Sequence, residues 1–142
     1  MNYKVSVYAG RPEGKRCYLL EVDGRRVSEK VSTFKGDNIK ENALECVLQG
    51  LTACKPLVTH HDYVVVEVQN RHLNDWLNDF SQSTGYDNYD NILDKIFEVL
   101  DNLDCRYKFV FVKNSYVKKF LHTAKLSEVK VSSVDSLMSE FK

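Results

Sequence analysis

Proline and glycine are scarce in this chain, 2 and 6 among 142 residues. No apolar run approaches the roughly 20 residues that a membrane-crossing helix needs. With 43% hydrophobic and 28% charged residues, collagen-like, low-complexity and wholly disordered states are excluded. The four cysteines, Cys17, Cys46, Cys54 and Cys105, form no Cys-x-x-Cys pair, so neither a zinc nor a redox motif is supported. A core of this size needs no disulfides, and reduced thiols are expected. Met1-Asn2-Tyr3-Lys4-Val5 enters an alternating pattern with no signal-peptide core, so a cytoplasmic protein is expected. No glycine-rich phosphate loop, Ser/His/Asp order or Cys/His motif is present, and no cofactor is expected.

Net charge is absent too: 20 Lys+Arg balance 20 Asp+Glu. The zero is a cancellation. Residues 1–36 carry 8 basic and 4 acidic groups (net +4), and residues 37–104 carry 4 basic and 13 acidic (net −9). Residues 105–127 carry 6 basic groups and no acid (net +6), and the last 15 residues are net −1.

What is present is a clear pattern of elements. Residues 3–8 and 16–22 read as strands, and Asp23-Gly24 is a hairpin signal leading to a third strand over 26–34. Val27, Val31 and Phe34 are that strand's expected core contributors. Asn38 with Glu41 three residues on starts a helix whose Ala43, Cys46, Val47, Gly50, Leu51 and Cys54 share a buried face. Lys55-Pro56 stops it. Residues 63–68 are nearly continuous in β-branched residues, as in a strand covered on both faces. Asn70 caps a helix with Leu73, Trp76, Leu77 and Phe80 on one side; Trp76 is expected in the core rather than in a stacking platform. Residues 81–90 read as a polar loop, and a helix follows from Ile92 to Leu103. A fifth strand over 106–112 leads into a helix bearing Val117, Phe120, Leu121 and Ala124. Residues 127–142 form a tail with at most one short helix. In His60-His61-Asp62, neighbouring side chains on an extended loop point apart and no third metal ligand is evident, so a strand-entry loop is expected.

The order βββαβααβα implies an α/β fold with a five-stranded mixed sheet. Over residues 1–126 it resembles the ribonuclease H-like fold. Tyr8-Ala9-Gly10 stands where that fold ends its first strand with Asp-Gly. Ala43-Leu44-Glu45-Cys46-Val47-Leu48-Gln49-Gly50-Leu51 resembles its first helix, typically Glu-Leu-x-Ala-Leu-x-x-Gly-Leu. Val65-Val66-Glu67-Val68-Gln69-Asn70 resembles its fourth strand, which ends in Asp-Ser. The resemblance implies two-metal phosphodiester hydrolysis by clustered carboxylates. Position by position those carboxylates are replaced by Ala9, Ala43 and Gln69, and no acid occurs from Cys105 to Ser127 to serve as the last one. The His-bearing loop that many active members insert before the last helix is also absent, because only Lys113-Asn114 connects strand to helix.

The resulting expectation is a pseudo-enzyme with no metal site, a binding module of the kind a phage or other mobile element carries as an accessory protein. Two alternatives stand beside it. One is an active nuclease using the displaced acids Glu41, Glu45 and Glu67. The other is a structural subunit docked through the tail. Candidate protein contacts are Asp87, Asp90, Asp94, Glu98, Asp101, Tyr86 and Tyr89, which suit a partner with a basic surface; a merely solvated face is the alternative. Candidate phosphate contacts are Lys113, Lys118, Lys119 and Lys125, which makes nucleic acid a second class of partner; an ordinary solvated helix face is the alternative. No membrane partner is expected.

Overall fold

The chain opens as a three-strand meander: β1 (Asn2–Gly10), β2 (Lys15–Val22) and β3 (Arg25–Thr33). In this computed structural model, residues 1–10, 15–33, 38–79 and 83–112 are described. Asp23 and Gly24 take φ values of 51° and 85°, the doubly left-handed turn that joins twisted antiparallel strands with two residues. Helix α1 (Ile39–Cys54) then crosses to β4 (Tyr63–Val68), which lies parallel to β1. Two helices, α2 (Arg71–Asn78) and α3 (Asp87–Asp101), lead to β5 (Arg106–Phe111), parallel to β4. The sheet order is β3-β2-β1-β4-β5, the expected mixed five-stranded arrangement. The expected last helix and the tail lie outside the described residues.

The start of α1 follows the sequence signal. Asn38 Oδ1 accepts from the Glu41 amide at 3.0 Å, and Asn38 Nδ2 donates to Glu41 Oε1 at 2.8 Å. The whole expected stripe from Ala43 to Cys54 is buried, with Leu44 added to it. Gly50 shows why the stripe is small: a Cβ there would lie 2.5 Å from Val5 Cγ1. Helix and strand therefore meet backbone to side chain, and Val5, Leu20, Leu44, Leu51, Val66, Leu73, Leu93 and Ile96 close into one core. Each contributes about 1.5–3 kcal/mol by leaving water.

Three expectations change. Val27 is 52% exposed, because β3 is an edge strand that pairs only with β2 and is bulged against it at Leu20/Glu21. Val31 does pack, but against Cys17 and Leu19 in a small separate cluster; Phe34 is outside the described residues. In β4 only Val64, Val66 and Val68 are buried, alternating with half-buried Tyr63, Val65 and Glu67, since the three described helices feed a single core on one face. Finally, α3 begins at Asp87, inside the stretch that reads as a loop. The Asp90 carboxylate reaches back to Ser83 Oγ and to the amide and hydroxyl of Thr84 (both 2.9 Å), which anchors the helix start without a cap from Tyr86.

All four cysteines are free, and burial pushes the thiols of Cys17, Cys46 and Cys54 up to about 12. Among the described residues no helix is long and apolar enough to cross a membrane.

Candidate functional site

Because β1 and β4 run parallel, their carboxyl ends open on the same side, and the N-termini of α1 and α2 meet them there. A cleft of about 240 Å³ occupies that corner. Ala9 comes from the end of β1, Ala43 from the second turn of α1, and Gln69 from the residue after β4; Ile39, Val68 and Leu73 add apolar walls. The structure thus brings together the three positions singled out in the sequence. Among the described residues its polar lining is short of anionic oxygen: the side chains available are those of Gln69, Tyr8 and Asn70, and Asn70 Oδ1 already accepts from the Leu73 amide at 3.1 Å.

The displaced acids do not join this cleft. Glu41 accepts from Asn38 and, at 3.0 Å, from Asn88 Nδ2, which turns it toward α3. Glu45 is half-buried on α1 and does not line the cleft. Glu67 accepts from Ser6 Oγ at 3.2 Å and lines a different cavity with Lys4, Val65 and Lys108. Strand alternation explains this: Glu67 sits between Val66 and Val68, whose side chains enter the helix-covered core. Among the described residues no three His, Cys, Asp or Glu side chains are grouped to hold a metal ion. These donors do not fit a pair of divalent cations.

The acidic candidates divide into two kinds. Asp87, Asp94, Glu98 and Asp101 are exposed on α3, and the last three border a shallow hollow beside half-buried Phe97. Asp90 is engaged in the helix start, and the Ser83 and Thr84 hydrogen bonds hold its carboxyl below the ordinary carboxylate value. Asp62 is engaged as well. It accepts from the Met1 amine at 2.9 Å and from the Thr59 amide at 2.8 Å, which lowers its pKa and raises that of the amine. His60 and His61 are exposed with ring centroids 3.8 Å apart, so these neighbours meet rather than diverge. Lys113, Lys118, Lys119 and Lys125 lie outside the described residues.

The tyrosines are placed differently from each other. Tyr86 is 62% exposed. Tyr89 packs on the edge of the core, stacks with Trp76 at 5.4 Å and donates its hydroxyl to Asn38 Oδ1 at 3.0 Å. Trp76 likewise sits half-buried at the core margin, not inside it. The sequence reading missed this pairing, and also Ile39 and Leu73 as cleft walls. The four-residue spacing of His72 and Trp76 and the three-residue spacing of Tyr86 and Tyr89 were the available signals.

No family model matches this sequence, and no curated protein matches it. Solved structures do resemble it. One is ribonuclease H1 from the halophilic archaeon Halobacterium salinarum, with 12% identity and a TM-score of 0.67 over 82% of this chain and 89% of that one. Another is the N-terminal ribonuclease H domain of a Mycobacterium tuberculosis protein, at 6% identity and TM-score 0.70 over 82% and 90%. A third is LC11 ribonuclease H1, isolated from compost and solved with an RNA/DNA hybrid, at 10% identity and TM-score 0.68 over 80% and 87%. The chain has the ribonuclease H-like fold.

Proposed function

We propose that this chain is a non-catalytic binding module on the ribonuclease H-like scaffold, and that its partner is a protein with a basic surface. The cleft carries the reading: Ala9, Ala43 and Gln69 line it together, and among the described residues no carboxylate does. Two-metal hydrolysis requires anionic oxygens shared between cations, and an amide carbonyl with two methyl groups does not supply them. One of the similar enzymes is held with a nucleic-acid hybrid; here the outer surface of α3 favours the opposite charge. Asp87, Asp94, Glu98 and Asp101 are exposed, and none has an ion-pair partner among the described residues. Such a face repels phosphate and attracts lysine and arginine.

Affinity capture from lysate, with and without nuclease treatment, tests this. Partners are expected to survive nuclease and to weaken with Asp94→Asn, Glu98→Gln and Asp101→Asn combined. Loss of every partner after nuclease would contradict protein contact.

A further inference from the structure

Four rings form a row across the seam between α2 and the start of α3. His72 and Trp76 have centroids 6.4 Å apart, Trp76 meets Tyr89 at 5.4 Å, and Tyr89 meets Tyr86 edge-on at 5.5 Å. His72 and Tyr86 are exposed at the two ends, while Trp76 and Tyr89 are half-buried. The row therefore runs along the surface, and an outward ring such as Tyr86 adds little to the core.

The chemistry around the rings selects a cation. Lys40 Nζ stands 5.7 Å from the Trp76 ring centre and donates to His72 Nδ1 at 3.2 Å, so the chain's own cation takes the His72–Trp76 end of the row, and the Tyr86 end, 62% exposed, is the part presented to a second one. Arg71 is turned to another ring, 4.9 Å over Phe111, and does not neutralise the row. Asp75 shares the outward arc of α2 with His72 and Trp76, Asp79 is the residue that ends the helix, and Asp87 follows Tyr86; all three are exposed and outside any ion pair among the described residues. Unpaired carboxylates beside exposed rings oppose a phosphate backbone. They suit a guanidinium, which is flat and weakly hydrated and can stack on a ring while bonding a carboxylate at its edge.

We infer that the His72–Trp76–Tyr89–Tyr86 row is the docking site for arginine side chains on a basic segment of the partner protein. This rests on the proposed basic partner and gives it a location and a residue type.

Trp76 is the only tryptophan in the chain, so its emission reports this site alone. The protein is titrated with nona-arginine, nona-lysine and an oligothymidine at physiological salt. Nona-arginine is expected to change Trp76 emission and to bind about 3–10-fold tighter than nona-lysine, the size of one or two cation–ring contacts. Tyr86→Ala, at a position exposed enough to leave folding intact by circular dichroism, is expected to weaken nona-arginine about 3-fold and nona-lysine less. Asp75→Asn with Asp79→Asn is expected to weaken both peptides. Equal binding of the two peptides with unchanged emission, binding of neither, or a Trp76 response to oligothymidine instead would each overturn the inference. The non-catalytic reading fails separately, by metal-dependent cleavage of a hybrid in an assay without either peptide.

Discussion

Tyr89 donates its hydroxyl to Asn38 Oδ1, the same oxygen that caps the Glu41 amide of α1. One atom thereby fixes the helix start beside the cleft and ties it to α3 and the ring row. Asn38→Ala removes both bonds, together with the Nδ2 bond to Glu41 Oε1, and is expected to lower stability by about 1–2 kcal/mol, whereas Tyr89→Phe removes one and is expected to cost about 1 kcal/mol. Urea denaturation of both single variants and the double variant checks this. The double variant should lose less than the sum, because the sites share a partner.

Gly50 and Val5 make a second coupled pair. Alanine is the better helix former, yet Gly50→Ala is expected to destabilise by about 1–3 kcal/mol, because its methyl would lie 2.5 Å from Val5 Cγ1. Thermal unfolding should show Val5→Ala relieving part of that loss in the double variant, despite its own cost as a core truncation.

The Met1 amine and Asp62 set a pH dependence. The carboxyl, lowered chiefly by its bond from the amine, stabilises the fold above its ordinary value of 3.8 and loses this as pH falls through the folded value. The amine, raised by the same bond, stabilises fully below its ordinary 8.0 and loses this as pH rises through the folded value. Asp62→Asn is therefore expected to lower Tm most between about pH 5 and 7, with the gap to the parent protein narrowing at both extremes. A gap that does not vary with pH would contradict the pairing.

Introducing carboxylates at the three cleft positions is expected to create a cation site. Calorimetry of Ala9→Asp, Ala43→Glu and Gln69→Asp combined should show Mn²⁺ binding at about 1 mM or tighter, and the parent protein should show none. Without metal the three acids repel one another, so the variant should melt lower and regain Tm when Mn²⁺ is added.

Much of this was readable from residue patterns, and the exceptions share a cause. Asn38, Glu41 and the Ala43–Cys54 stripe announce α1 because capping and helical burial are local. Ala9, Ala43 and Gln69 were singled out by the resemblance to the ribonuclease H-like fold, and the parallel pairing of β1 with β4 is what brings them to one cleft. Val27 misled because its residue type suits a core, while its exposure depends on β3 being the last strand. The first turn of α3 was hidden because Asp90 takes its partners backward along the chain, from Ser83 and Thr84. Trp76 could not be assigned to the margin of the core without knowing that Tyr89 and Lys40 stand beside it.

Cleavage of a labelled RNA/DNA hybrid by the purified chain, in Mg²⁺ and in Mn²⁺, bears most directly on the central claim. A cleft walled by Ala9, Ala43 and Gln69 predicts no product above the protein-free control in either metal. Metal-dependent hydrolysis by the parent chain, abolished by Glu45→Gln or Glu67→Gln, would contradict it.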